Sequence, residues 1–560
     1  MSKRTSGRSA KRAGVSRREL LQIGVAGGIA AVASAAVPVL ARGTGGPQGA
    51  PGAVPDFEFE EATITALQAL MQAGKLSARS LAEAYLARIT AVDRQGPTLR
   101  SVIEVNSEAL DIADKLDAER KAGRLHGVLH GIPVLIKDNI ATADRMGTTA
   151  GSLALVGAAA PRDARVAERL REAGAVILGK TNLSEWANFR STRSSSGWSG
   201  RGGQCRNPYA LDRSPCGSSS GTGAAIAASL AAVGVGTETD GSIVCPSAAN
   251  SLVGIKPTVG LVSRAGIVPI SHSQDTAGPM ARTVTDAAVL LGVLAGEDAR
   301  DAATAASRGK GAADYTKFLD PDGLNGARIG VARAKLFGYS VPADALCEAA
   351  IKEMARLGAV IVDPADIPHL GEYDDPEFEV LLYEFKADLN AYLAEWASGA
   401  PARTLKDVIE FNEKHRDSEL AFFGQDIMEK AQAKGPLTES AYLKARKRCI
   451  KLAREKGLDE VIAKHRLDAI VAPTGGPPWT IDLVNGDHFL GASSSPAAVS
   501  GYPSVTVPVG YAFGLPVGIT FIGRAWDERT LVRLAYALEQ ATKHRRPPRF
   551  LPTAELTASE

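Results

Sequence analysis

An excess of charge of either sign is missing from this sequence: Lys and Arg number 64 against 62 for Asp and Glu, a formal net charge of +2. Without a basic excess there is no electrostatic footprint for nucleic acid, and no such partner is expected. Cysteines are sparse, with Cys205, Cys216, Cys245, Cys347 and Cys449 in 560 residues. That excludes a disulfide framework, although an exported protein can still contain a single bridge, and the odd count leaves at least one thiol unpaired. Histidines are few as well. His126 and His130 stand at i and i+4, but Gly127, Gly131 and Pro133 disfavour the helix that would align them, and no third ligand follows. They read as structural, and neither a metal nor a cofactor is expected.

Long apolar runs are confined to the N-terminus. Lys3, Arg4, Arg8, Lys11 and Arg12 form a basic leader, Ser16-Arg17-Arg18-Glu19-Leu20-Leu21 is a twin-arginine pattern, and Ile23 to Leu40 is weakly apolar. Gly24, Gly27, Gly28 and Pro38 dilute that run, which is barely long enough to span a bilayer, so an export signal is favoured over an anchor. Val39-Leu40-Ala41 offers small-residue cleavage. The expectation is a signal peptide over residues 1–41 and a Gly/Pro-rich disordered mature N-terminus over 42–56. The Tat export machinery is then a partner, no stable membrane anchor remains, and the mature protein is periplasmic or secreted.

The whole chain is 45% hydrophobic, and the part beyond the signal is long enough for a large core. Thr63 to Ala73 reads as a helix, Ser80 and Glu83 as a capping box opening a second toward Val92, and Ser107 to Gly123 as a third. Helix Arg165 to Ala173 followed by strand Ala175 to Leu178 is an αβ step, which predicts an α/β fold: a single large domain with a central mixed β-sheet covered by helices on both faces. Ser191 to Gly203 reads as a loop. Further on, Asp286 to Ala295 predicts a helix and Arg328 to Val331 a strand. The region 369–451 is a polar helical insertion rich in aromatics, with Tyr383 the candidate substrate contact. Strands follow at Leu467 to Val471, Ser504 to Val509 and Val517 to Ile522, the last two as a hairpin, before a helix from Glu528 to Ala541. Pro473, Pro477, Trp479 and Ser493 to Ser495 fall in connections placed to line a cleft mouth. The domain spans 57–548, and 549–560 is a C-terminal tail.

The most informative stretch is Ser214 to Thr258. A Gly/Ser-rich turn precedes the small residues Ala224 to Ala232, an apolar run Val233 to Thr237 returns, and a second turn, Thr239-Asp240-Gly241-Ser242, presents a serine. Small residues let backbone N–H groups approach a substrate oxygen closely. Several single-motif readings compete. Gly217 to Gly221 fits G-x-S-x-G, which would make Ser219 a nucleophile, but no strand precedes it. Ser307-Arg308-Gly309-Lys310 fits S-x-x-K without the partner motifs. Cys216 and Cys245 flank the two turns, yet neither has an activating histidine motif.

Several blocks in order resolve this competition: GIPVLIKDNI (Gly131 to Ile140), the Lys180 to Phe189 segment, GSSSGTGA (Gly217 to Ala224), TETDGSIVCP (Thr237 to Pro246) and SQDTAGPMAR (Ser273 to Arg282). Together they resemble the amidase signature family of Ser-Ser-Lys hydrolases from about Phe57 to Pro548. TETDGSIVCP and the LYEF segment at Leu382 to Phe385 are most similar to bacterial peptide amidases. The resemblance implies that Lys137, Ser218 and Ser242 are catalytic, with one of the serines held cis to its peptide, Lys137 the base, Ser218 the proton relay and Ser242 the nucleophile that carries the acyl group. It also implies an oxyanion hole from the backbone N–H groups of Thr239, Asp240, Gly241 and Ser242.

The chemistry places one demand on the fold. At an ordinary pKa near 10.4 roughly one lysine in 2,500 is neutral at pH 7, a disadvantage of about 4.6 kcal/mol. Burial lowers a lysine pKa by up to about 3 to 5 units, and Ile132, Val134, Leu135 and Ile136 supply apolar neighbours. Asp138 follows, but alternation along a strand points it to the other face. Against the commoner family pattern GGSIR, Asp240 replaces the first Gly and Val244 the Arg. The implied substrate is a linear carboxamide, and the peptide-amidase likeness points to the C-terminal amide of a peptide. An esterase or aryl-acylamidase using the same site, or a non-catalytic exported binding protein, are the alternatives.

Overall fold

The computed structural model describes residues 54–397 and 399–556, so the twin-arginine pattern, the apolar run, the cleavage site and residues 42–53 lie outside the described residues. Eleven strands form one sheet: β1 (Val102–Val105), β2 (Pro133–Lys137), β3 (Val176–Thr181), β6 (Val233–Glu238), β7 (Val253–Lys256), β8 (Thr276–Ala281), β9 (Arg328–Val331), β10 (Val360–Val362), β11 (Ala469–Pro473), β12 (Ser504–Ala512) and β13 (Leu515–Ile522). Their spatial order is β1-β3-β2-β6-β8-β7-β12-β13-β11-β9-β10. β2 runs parallel to β3 and β6, whereas β8, β7, β12 and β13 are joined by antiparallel ladders. The sheet is therefore mixed, and helices flank it as the sequence pattern predicts. Parallel strands covered on both faces read as continuous apolar runs rather than as alternation, and all five residues of β2 are buried.

Two further strands, β4 (Trp198–Ser199) and β5 (Gly203–Gln204), pair as a small hairpin inside the segment expected to be only loop. The β12–β13 hairpin forms as predicted. The helix Val341–Arg356 had no counterpart in the sequence reading; its buried stripe is Ala343, Cys347, Ala350, Ile351 and Met354, small enough to give weak contrast.

Other boundaries differ for identifiable reasons. The second helix starts at Ala78, capped by Ser77, whose hydroxyl accepts from Ser80 N while the Ser80 hydroxyl accepts from Ser77 N. Glu83, expected to close that box, pairs instead with Arg79 at 2.9 Å. The small-residue helix after the first turn lies earlier than the expected Ala224 to Ala232, at Ser220–Ala227. Residues 54–56 are not loose: Val54 packs on the core and Pro55 O accepts from Arg88. The C-terminal tail is likewise held, with Phe550 N donating to Pro208 O at 3.0 Å and Ala554 buried.

The insertion comprises the helices Asp374–Trp396, Leu405–Lys414, Arg416–Glu419, Asp426–Gln432 and Ser440–Cys449, and continues without a break through Ile450–Leu458 and Asp459–His465, past the expected end at 451. Its aromatics pack largely on one another and on the core: Phe385 meets Phe189 edge-on at 5.1 Å, and Tyr392 stacks on Trp396. No helix of the described residues is long and apolar enough to cross a membrane.

Candidate active site

Lys137 is the last residue of β2, and its neighbour β6 ends in Thr237 and Glu238. Adjacent parallel strands therefore deliver the lysine and the entry to the Ser242 turn side by side. Lys137 is fully buried. Its Nζ donates to Ser218 Oγ at 2.8 Å, to Thr237 Oγ1 at 2.8 Å and to Thr237 O at 3.2 Å. Burial pulls its pKa from 10.5 down to about 7, against the opposing pull of Asp275 and Glu238. About half the lysine is then neutral at pH 7, which removes most of the penalty derived from the sequence. Asp138 points away, accepting from Gly151 N at 3.3 Å and facing Arg201 at 3.4 Å.

Ser218 sits at a cis Gly217–Ser218 peptide. A Cβ on Gly217 would lie 2.2 Å from Ser184 Oγ, so a side chain there has no room. Ser219, the nucleophile of the competing motif, is committed to the strand beside it: its hydroxyl donates to Thr237 O at 3.1 Å and accepts from Thr237 N at 3.2 Å. Ser219 N also donates to Ser242 O at 3.2 Å, which brings the two turns together. The Ser242 hydroxyl makes no hydrogen bond to Ser218 among the described residues, so the link from Lys137 to Ser218 is formed and the link from Ser218 to Ser242 is not. Such bonds are often loose until substrate is bound.

The Ser242 turn is held from behind. One Glu238 carboxyl oxygen accepts from Ile243 N at 2.7 Å and Val244 N at 3.0 Å, and burial raises the Glu238 pKa. Those bonds occupy the amides after Ser242, whereas none of the described residues accepts from the amides of Gly241 or Ser242. Gly241 has φ +83°, and a Cβ there would lie 2.9 Å from Ser494 Oγ, so both conformation and space call for glycine. Thr239 Oγ1 donates to Asp275 Oδ1 at 2.6 Å, while Asp275 also accepts from the amides of Ile270 and Ser271. Burial lifts the Asp275 pKa to about 6. The Asp240 carboxylate accepts from Ser494 Oγ at 2.5 Å and Ser495 Oγ at 2.8 Å.

Sequence reasoning missed Thr237, Glu238, Asp275 and the paired serines as supports. The first three lie within the quoted blocks, but nothing local says what they hold. It also left the cysteines open. Cys216 and Cys245 form a disulfide, Cα atoms 6.0 Å apart, which removes both as candidate nucleophiles and ties the Ser218 turn to the helix that follows Ser242. Cys205, Cys347 and Cys449 are free and buried. Tyr383 is buried among Tyr442, Val380 and Cys449, and its hydroxyl donates to Glu439. Its polar end therefore serves the insertion, and it makes no hydrogen bond to the turn. His130 uses both ring nitrogens, with Leu116 O and His126 N as partners.

The disulfide closes a loop spanning 29 positions, worth roughly 3 to 4 kcal/mol in the chain-entropy account. The Cys216→Ser/Cys245→Ser double variant should lose stability on that order in urea unfolding; an unchanged midpoint would show that the link contributes nothing net.

The Amidase family profile matches residues 80–532. A probable amidase of Arabidopsis thaliana is 42% identical over 505 residues, covering 88% of this chain and 93% of the relative. The crystal structure of the native peptide amidase from Stenotrophomonas maltophilia superposes with a TM-score of 0.85 at 54% identity, over 88% of this chain and 100% of that one. A bacterial aryl acylamidase, at 24% identity and a TM-score of 0.73 over 86% of this chain and 96% of its own, shares the fold. With a mixed sheet delivering a buried lysine to a serine-bearing turn, and with these relatives, the chain belongs to the amidase signature family and is a hydrolase acting on amides.

Proposed function

We propose that the chain hydrolyses the C-terminal amide of peptides to a free acid and ammonia, with Ser242 as nucleophile, Ser218 as relay and Lys137 as base. The observation that carries this reading is the buried Lys137 amine, its pKa near 7, bonded to Ser218 Oγ at 2.8 Å. The neutral amine accepts a proton through Ser218 as Ser242 Oγ attacks the carbonyl carbon. The amides of the turn receive the oxyanion. The same proton returns through Ser218 to the departing nitrogen, ammonia leaves, and water attacks the acyl-Ser242 ester with the base in the same role. The peptide character of the substrate is supported by the likeness to peptide amidases. The same acyl chemistry also accepts esters and anilides, and comparing kcat/KM for matched ester, anilide and peptide amide ranks the three.

We also propose export by the Tat machinery to the periplasm or beyond. Support comes from the Arg17-Arg18 pattern and from the Cys216–Cys245 bridge, which persists in oxidising compartments.

Ser242→Ala should lower amide turnover on the order of 10⁴-fold or more with an unchanged circular dichroism spectrum; full turnover in that variant would remove the assignment. The base works only when neutral, so kcat/KM should fall about tenfold per pH unit below about 7 and level off above it. Asp275→Asn removes a charge that holds the Lys137 pKa up, so this acid limb should move to lower pH; a shift to higher pH would contradict the electrostatics. For export, Arg17→Lys with Arg18→Lys should leave the uncleaved precursor in the cytoplasm, as read by fractionation, and normal secretion would count against the signal.

A further inference from the structure

We infer that Glu384, on the long helix of the insertion, is a positioning residue for the hydrolysis: it fixes the loop from Ile270 to Asp275 and, through Asp275, the surroundings of the Lys137 amine and the Ser242 turn. This rests on the assignment of Lys137 as base.

Glu384 is fully buried, and among the described residues no lysine or arginine pairs with it. Desolvating a carboxylate is costly unless donors are fixed around it, and here most of the donors come from one short loop. Oε2 accepts from Ser271 Oγ and from Ser273 N at 3.0 Å. Oε1 accepts from Ser273 Oγ at 2.5 Å and from Tyr442 OH at 2.7 Å, with His272 Nε2 at 3.3 Å. One turn further along the helix, Asp388 Oδ2 accepts from His272 N at 2.9 Å and lies 2.8 Å from His272 Nδ1. Two turns back, Glu377 accepts from Gln274 Nε2 at 3.0 Å. Positions 377, 384 and 388 share one face of a helix, so a single element grips the consecutive residues Ser271 to Gln274.

The grip ends where the chemistry begins. Asp275 comes next, and its buried carboxylate accepts from Ile270 N at 2.8 Å, Ser271 N at 2.9 Å and Thr239 Oγ1 at 2.6 Å. Thr276 then opens β8 and pairs with Glu238 of β6, which sets Asp275 beside the end of the strand that carries Thr237, the partner of the lysine. The carboxylates whose charge acts on Lys137 are those of Asp275 and Glu238. Arg264, which acts on Asp275, is committed to Asp301 through Nε at 2.7 Å and Nη2 at 2.6 Å. Glu384 therefore reaches the amine by holding the loop and not by its own charge. Without that hold, Asp275 is free to draw away and its upward pull on the Lys137 pKa weakens.

The test is the acid limb of kcat/KM, which follows neutral Lys137. Glu384→Ala should move this limb to lower pH by at least about half a unit, against the roughly 1 to 3 units that an opposite charge at close range contributes. Glu384→Gln keeps an oxygen for the Ser273 amide and still meets the hydroxyls, so its limb should coincide with that of wild type. In the Asp275→Asn background Glu384→Ala should add no further shift, because a residue acting through Asp275 is not additive with it. A limb that stays in place or moves to higher pH in Glu384→Ala, or a shift that adds in full to that of Asp275→Asn, would reduce Glu384 to a support of the insertion and overturn the inference. A shift as large in Glu384→Gln as in Glu384→Ala would point to charge rather than position and overturn it likewise. If Glu384→Ala does not fold, Ser271→Ala with Ser273→Ala removes the hydroxyl half of the same grip from the loop side, and the same outcomes decide. Asp275→Asn alone keeps the two failures apart: if it moves the limb and Glu384→Ala does not, the base stands and the positioning role falls, whereas a limb absent from wild type removes both.

Discussion

An amine kept dry is the constraint on which the rest depends. A lysine in water is protonated and cannot take a proton from a serine, whereas Lys137, fully buried and with its pKa pulled to about 7, can. That burial is produced by the sheet: β2 lies between β3 and β6, and its apolar residues exclude water up to the last position, where the lysine stands. The hydrogen bonds that its amine donates to Ser218 and Thr237 replace part of what water would supply. Asp275 and Glu238 oppose the shift, so the value near 7 is a balance between desolvation and two buried carboxyl groups rather than the result of desolvation alone.

The same carboxyl groups hold the backbone that presents Ser242. Glu238 takes the amides after Ser242, and Asp275 takes the Thr239 hydroxyl before it. One set of side chains thus fixes the turn and tunes the Lys137 amine, which ties the precision of the site to its proton affinity. The disulfide and the Ser219 N to Ser242 O bond join the two serine turns. The insertion meets the site indirectly. Glu384 accepts from Ser271 and Ser273, and Glu377 from Gln274, so its long helix steadies the loop that carries Asp275.

Much of this was legible before any coordinates. Lys137, Ser218 and Ser242 stand in blocks whose order resembles one family, and the strands β2, β6, β9, β12 and β13 follow from apolar runs bounded by turns, although their order in the sheet does not. Illegible features share a cause. Ser494 and Ser495 reach Asp240 across about 254 positions, and Glu384 reaches Ser271 across 113; no local pattern encodes such pairs. The capping box was misplaced because Ser-x-x-Ser is a weaker signal than Ser-x-x-Glu, and Tyr383 was offered as a contact because an aromatic in a polar helix looks the same whether it faces a cleft or a neighbour.

By itself the sequence determined which residue types could do the chemistry: an apolar strand ending in lysine, two serines in turns free of bulky side chains, and an acid where a glycine is commoner. Only the tertiary structure decided which hydroxyl meets the amine, since Lys137 and Ser218 lie 81 positions apart and Ser219 is one residue away from taking that place. It decided too that Cys216 and Cys245 are bonded to one another. The physical reason is that proton affinity and hydrogen bonding depend on distance and on the exclusion of water, and both are set by how strands from remote parts of the chain lie side by side.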